Sequence, residues 1–238
     1  MIHLDALSGD TTEIIPLTAI SDTALCVGAG GSSGSLADKP IVHTAANYPF
    51  IPASQLKGRL RHECEKLARS LGWPACHAPT PQCMCPERAD WEGPAFEDSS
   101  YWLHQAGRYH CLICQIFGNP VLPARVQFDD LICHDAGARA SETIRPGVTL
   151  NRRRRTAEDQ KLYFLETTPA NAQLRFEGEI ALLPPCPRVG KPLIAAALQH
   201  VQALGSSKSA GMGWLRWDFS AASLSADDWS SLHAEAAA

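Results

Sequence analysis

Polar and apolar positions alternate most clearly over residues 172–183. There Leu174, Phe176, Gly178 and Ile180 oppose Gln173, Arg175, Glu177 and Glu179, which predicts a strand with one buried face. Residues 124–132 alternate more loosely through Val126, Phe128 and Leu131 and predict another. Residues 13–20 have strand composition, with Pro16 indicating an edge or a bulge because proline cannot donate to a ladder. The apolar run 24–27 follows, and residues 213–219 read as a last strand. A period near 3.6 appears in Leu60, Cys64, Leu67, Ala68 and Leu71, predicting a helix over about 54–71 with Pro52 and Ser54 as start residues. A shorter helix is expected over 192–204.

Two stretches break the pattern. Residues 72–110 hold many prolines, cysteines and acids without a sustained period, so they read as part of an irregular insertion, about 72–117, needing a staple other than an apolar core. Residues 141–165 combine Arg-Pro-Gly, four consecutive arginines and an acidic run, which suits an exposed projecting hairpin, about 140–168. Omitting these, the order β, α, β, β, α, β predicts an α+β, ferredoxin-like (RRM-like) core in one domain, 1–238. Residues after about 220 are expected to be peripheral.

The chain has 238 residues and a net charge of −4, with an isoelectric point near 6.1. That balance argues against nucleic-acid binding as a whole-molecule property. The charge is uneven, however: residues 57–69 and 145–155 are basic islands, while acids gather at 87–98 and 157–166. A local groove can therefore be basic. With no apolar run of membrane-spanning length and no leader-like start, the protein is expected to be soluble and cytoplasmic, without a membrane partner.

Nine cysteines in such a compartment are poor disulfide partners, and five fall within 76–114. Cys111-Leu-Ile-Cys114 puts two sulfurs on one side of a turn, and a tetrahedral zinc site needs two more. Cys76 and Cys83 are the first choice, with Cys85 or His77 as substitutes. Four protein ligands would leave no open position, so the zinc would be structural. Cys64 lies on the apolar helix face, and Cys26, Cys133 and Cys186 have no sequence partner; core packing is expected for all four.

Three further segments carry candidate chemistry. Gly205-Ser-Ser-Lys-Ser-Ala-Gly-Met-Gly213 can take the positive φ angles of a phosphate-cradling loop through Gly205, Ser206, Ser207, Lys208, Ser209 and Gly211, although such loops also serve as plain tight turns. Ile51-Pro-Ala-Ser-Gln-Leu-Lys-Gly-Arg-Leu-Arg61 places Ser54, Lys57, Arg59 and Arg61 in the opening turns of a helix, where backbone amides also face anions. The third segment is Cys114-Gln-Ile-Phe-Gly118. In this order the three resemble the "IPGSSLKGxxR", "LFG" and "GxxxSxGxG" motifs of the RAMP superfamily of CRISPR-associated proteins, from the first strand to about residue 219.

The resemblance implies a backbone subunit of a type III or type III-derived effector. Its expected partners are guide CRISPR RNA, complementary target RNA, further copies of itself and other effector subunits. Asp38-Lys39-Pro40-Ile41-Val42 is similar to the step at which such subunits cut target RNA, which implies a catalytic Asp38 acting with a divalent metal such as Mg²⁺; taken alone, Asp38 closes a turn before proline. The hairpin with Arg145, Asn151, Arg152, Arg153, Arg154 and Arg155 sits where these subunits carry an RNA-folding thumb, and either Asn151-Arg152 or Arg155-Thr156-Ala157 matches its pattern. The same scaffold also serves non-catalytic guide binders and guide-processing endoribonucleases. The latter need a histidine near the glycine loop, for which His200 is the candidate.

Overall fold

A computed structural model of the chain describes residues 12–28, 37–79, 83–85, 110–120, 122–135, 143–170, 172–218, 229, 230 and 232. Along these run β1 (Glu13–Ser21), β2 (Phe50–Ile51), α1 (Ala53–Ser70), α2 (Leu112–Phe117), β3 (Val126–Phe128), β4 (Leu131–Ile132), β5 (Thr143–Asn151), β6 (Thr156–Thr167), β7 (Arg175–Leu182), α3 (Gly190–His200) and β8 (Leu215–Asp218). The class is α+β.

Six strands form one antiparallel sheet in the order β2-β4-β7-β1-β8, with β3 also paired to β7. Alternation sets the faces. Ile15, Leu17 and Ala19 of β1 and Phe176, Ile180 and Leu182 of β7 are buried in one core with Leu56, Leu60, Cys64 and Ala68 of α1 and Leu193, Ile194, Ala197 and Leu198 of α3. Fully burying one such Leu or Ile side chain is worth about 1.5–3 kcal/mol. Pro16 pairs with Glu179 in the half of β1 that β8 does not reach, since β8 joins only at Thr18, so its missing N–H costs no ladder bond on that side.

Helix α1 begins after an extended Pro52 and is capped from a distance, the Ala53 amide donating to Asp130 Oδ1 at 2.7 Å. It stops where Gly72 takes φ +76°; Gly72 N–H bonds the Arg69 carbonyl and Trp73 N–H the Ala68 carbonyl, a Schellman ending.

Several expectations change. The strand expected over 124–132 is split into β3 and β4, because Asp129 and Asp130 turn there and Gly178 leaves room for the Asp130 carbonyl; a Cβ on Gly178 would meet that oxygen at 2.9 Å. Residues 24–27 are buried but form no strand, since their main-chain groups bond loops instead of a neighbouring strand. Within the expected irregular insertion, residues 112–117 are helical and Phe117 stacks on Phe128 with ring centroids 6.2 Å apart, while 86–109 lie outside the described residues. Helix α3 ends at His200 rather than 204, as Val201 becomes extended. In the tail, Leu232 is buried in the core and Trp229 packs against it, contrary to a peripheral tail. The expected hairpin is present as β5 and β6, a separate two-stranded sheet with a bulge between Val148 and Leu150.

Candidate metal centre and nucleic-acid interface

Four sulfurs converge where α1 meets α2. Cys76, Cys85, Cys111 and Cys114 offer ligand atoms all within 4.8 Å of one another, with Cys76 to Cys114 at 3.5 Å and Cys76 to Cys111 at 3.7 Å. Sulfurs at the corners of a tetrahedron with metal–sulfur bonds of about 2.3 Å stand about 3.8 Å apart, so the group is shaped for a tetrahedral ion such as zinc. Cys111 immediately precedes α2 and Cys114 lies on its first turn, the local geometry that the CxxC spacing dictates. Cys83 is exposed and outside the group. Its carbonyl accepts the His77 amide at 2.9 Å, and Cys85, two residues on, is the sulfur that enters the site; His77 is exposed as well. The fourth sulfur is therefore that of Cys85, not Cys83.

The four sulfurs share protons among themselves, and a cation could take the place of those protons. Hydrogen bonding from Cys111 and Cys114 pulls the Cys76 thiol far down, and bonding from Cys114 lowers Cys111 to about 7. Bonding with Cys111 in turn pushes Cys85 and Cys114 well up. Four sulfurs this close cannot all be thiolates unless a positive ion sits among them. The Cys111 amide donates to Cys85 Sγ at 3.4 Å, an outer bond of the kind that orients metal ligands.

The basic residues of α1 divide. Arg59 pairs with buried Glu63 at 2.9 Å, and Glu63 also takes Lys66 at 2.5 Å. Arg61 turns inward: Nε donates to Glu65 Oε1 at 3.2 Å, Nη1 to the Gly118 carbonyl at 2.8 Å and Nη2 to Cys114 Sγ at 3.6 Å. Burial alone would lower its pKa, but the Cys114 sulfur and Glu65 raise it. Lys57 is half-buried, has no ion-pair partner among the described residues, and has its pKa lowered by burial and then by Arg61. Beside it Ser54 and Gly58 are exposed, and a Cβ on Gly58 would meet nothing within 4 Å. Asp130 thus occupies the first amide of α1, while Ser54 and Gly58 leave one side of its opening turns exposed.

Asp38, the base of the hairpin and the glycine loop meet through the main chain. The amides of Asp38 and Lys39 donate to the Phe164 carbonyl at 3.0 and 3.3 Å, the Phe164 amide returns to Asp38 Oδ2 at 2.7 Å, and the Glu166 amide bonds the Lys39 carbonyl. Buried Glu166 also holds the Ile41 amide at 3.0 Å. Two residues on, Thr168 bonds Leu25 in both directions. The 24–27 segment then carries the glycine loop: the Cys26 carbonyl accepts Ser206 N–H and the Ala24 carbonyl accepts Gly213 N–H, both at 2.8 Å. Glycine is required here. Gly205 and Gly213 have φ of +85° and +72°, and a Cβ would stand 2.5 Å from the Cys26 oxygen or 1.9 Å from the Leu204 oxygen. Ser207 is also left-handed, and a single 3-10 turn follows over Lys208–Ala210. Among the described residues the amides of Ser207, Lys208 and Ser209 have no partner, while Lys208 Nζ folds back to the Gly205 carbonyl at 2.9 Å.

The hairpin ends in a built turn. Asn151 Oδ1 accepts the amides of Arg153 and Arg154 at 3.1 and 3.0 Å, and Arg155 takes φ +55°, so Arg152, Arg153, Arg154 and Arg155 are all exposed at the tip. Arg145, half-buried, lies far down β5 opposite Leu165. On the other face Ile144, Val148 and Leu162 are exposed. His200 is exposed at the end of α3. Two roles had no sequence signal, the Asp130 cap of α1 and the Glu166 anchor of Ile41, because each joins segments more than 70 residues apart.

No helix among the described residues is long and apolar enough to cross a membrane. Among curated proteins no sequence matches the chain. The RAMP superfamily model, which describes CRISPR-associated RNA-binding proteins, matches residues 17–216. That match takes in the sheet from β1 to β8, the cysteine group, the hairpin and the glycine loop, and the chain therefore belongs to the RAMP superfamily.

Proposed function

We propose that the chain is a guide-RNA-binding backbone subunit of a type III or type III-derived CRISPR effector, assembled in several copies with other subunits, and that it cuts complementary target RNA at six-nucleotide steps through Asp38. The observation that carries this reading is the run of main-chain hydrogen bonds joining Asp38, the arginine-tipped hairpin and the glycine loop, three segments distant in sequence. The core is read as one ferredoxin-like domain, 1–238. Its support is the succession β1, α1, β3/β4, β7, α3, β8 with the sheet order β4-β7-β1-β8. The cysteine group is read as a structural zinc centre stapling the insertion.

In this assignment the partner-free amides of 207–209, Lys57 and the tip arginines hold guide phosphates, while sequence is read by guide–target pairing. Cleavage is a transesterification. The target's 2′-oxygen attacks the adjacent phosphorus, its proton passes to the Asp38 carboxylate, and the 5′-oxygen leaves and takes a proton from water, giving a 2′,3′-cyclic phosphate and a 5′-hydroxyl end. A divalent cation such as Mg²⁺, when bound, neutralises the phosphate charge. The Phe164 amide fixes the rotation of the carboxylate.

The same bond favours a second reading, in which Asp38 only ties its loop to the hairpin and another subunit does the chemistry. Incubating the assembled complex with labelled complementary RNA and Mg²⁺ separates the two. Asp38→Asn keeps an acceptor for the Phe164 amide but removes the base, so it should retain guide and assembly while all regularly spaced cuts vanish. A wild-type complex that never cuts, or an Asp38→Asn complex that still does, overturns the catalytic assignment.

A further inference from the structure

The RAMP-type motif beginning at Ile51 ends in Arg61, a basic residue that its place in a nucleic-acid-binding helix marks as a phosphate contact. We propose instead that Arg61 is the charge-balancing and positioning residue of the four-cysteine centre, locking α1 onto it. This rests on the reading of that centre as a zinc site.

The geometry is that of a fork filled on every prong. One guanidinium meets Glu65, the Gly118 carbonyl and Cys114 Sγ at 3.2, 2.8 and 3.6 Å, and its side chain is only 20% exposed. Little of it is left for an incoming phosphate. Four thiolates around a dication leave two net negative charges in a largely buried place, which an adjacent cation must offset. Arg61 is the cation whose donor reaches a sulfur. A second contact comes from the same helix: Arg69 Nη2 donates to the Cys76 carbonyl at 3.1 Å, and Glu65 lies between the two arginines, 3.2 Å from Arg61 and 3.8 Å from Arg69. Helix α1 is thus fastened both to the segment carrying Cys76 and to α2, which carries Cys114. Lysine cannot substitute fully, because a single ammonium cannot span a carbonyl, a carboxylate and a sulfur with the fixed spacing of a guanidinium.

The test uses the full chain with zinc as the probe. Zinc affinity is measured by competition with a chromophoric chelator for wild type, Arg61→Gln, Arg61→Lys and Lys57→Ala. Outer partners of metal ligands typically contribute about 10- to 100-fold in affinity. Arg61→Gln is expected to lose at least about tenfold, Arg61→Lys to recover part of it, and Lys57→Ala to match wild type. Should Arg61→Gln not fold, Arg61→Lys loaded with Co²⁺ carries the test: its thiolate-to-cobalt charge-transfer band should move from the wild-type position, which a remote packing defect would not cause.

A readout with labelled single-stranded RNA separates the roles. Lys57→Ala should flatten the salt dependence of binding by the share of one phosphate, and Arg61→Lys should leave it unchanged. Wild type and both Arg61 variants holding zinc equally, with the same cobalt spectrum, would overturn the inference while the zinc reading stands. A wild-type chain that binds no zinc overturns both.

Discussion

Gly58 stands in the middle of α1, exposed, with open space where a Cβ would be. Glycine inside a helix costs about 0.8–1.0 kcal/mol relative to alanine, and among the described residues nothing stands where an added methyl would go. Gly58→Ala should therefore stabilise the fold by about that amount, raising the thermal midpoint by about 2 °C for a chain of this size. Gly213→Ala is the opposing control. A left-handed residue other than glycine costs about 1–2 kcal/mol, and a methyl 1.9 Å from the Leu204 oxygen forces the main chain apart, so a loss of roughly 2–5 kcal/mol is expected. Urea denaturation followed by circular dichroism measures both. The vacancy over Gly58 has a purpose if an RNA backbone lies against it, so the stabilised variant should bind labelled single-stranded RNA more weakly. If Gly58→Ala lowers the unfolding midpoint, something in the chain packs there. If it raises stability and leaves RNA affinity untouched, this face of α1 does not carry RNA.

Three other outcomes are expected. Metal analysis of the purified chain should find about one zinc, lost in Cys85→Ser and Cys114→Ser but kept in Cys83→Ser; equal loss in Cys83→Ser would contradict the observed cluster. Burial and Arg61 hold Lys57 below the ordinary lysine value of 10.5, and a nearby phosphate favours its charged form, so affinity for hydrolysis-resistant 2′-O-methyl RNA should be highest below the lowered pKa and fall as pH rises through it. Lys57→Arg should abolish that fall, and an unchanged pH profile would remove Lys57 from the interface. Replacing 152–155 by alanine should leave the Asn151 turn folded while the slope of log K against log salt drops by about 0.7 for each phosphate no longer neutralised, measured by fluorescence anisotropy.

What the sequence could convey was local. Period-two alternation located β7, the 3.6 period located α1 within a residue or two, and the Arg-Pro-Gly and arginine run marked a projecting hairpin, because each is a property of neighbouring residues. The CxxC pair was readable for the same reason. Cys83 and Cys85 were not separable, since the choice between them goes with a bond between the His77 amide and the Cys83 carbonyl, six residues apart. Arg61 likewise could not be told from Lys57. Both are basic and one helical turn apart, and only the placing of Gly118 and Cys114 beneath α1 turns one inward while the other stays unpaired. The short α2 went unread because six residues beside prolines and cysteines carry too little periodicity.

These pairings also explain how an acidic chain can grip RNA. Arg59, Arg61, Lys66, Arg69, Lys161, Arg175, Lys191 and Arg216 each stand in an ion pair within the fold. These eight cations share seven acids, so the paired groups are close to neutral together and the net value of −4 comes from acids elsewhere in the chain. Among the described lysines and arginines without an acidic partner, which also include Lys39, Arg145 and Arg188, six matter here: Lys57, Lys208 and the four tip arginines. They lie on α1, the glycine loop and the hairpin, the last two joined through residues 24–27 by main-chain bonds. An RNA strand following that path would meet unneutralised charge at each step, and binding would depend on salt as steeply as for a basic protein despite the low isoelectric point.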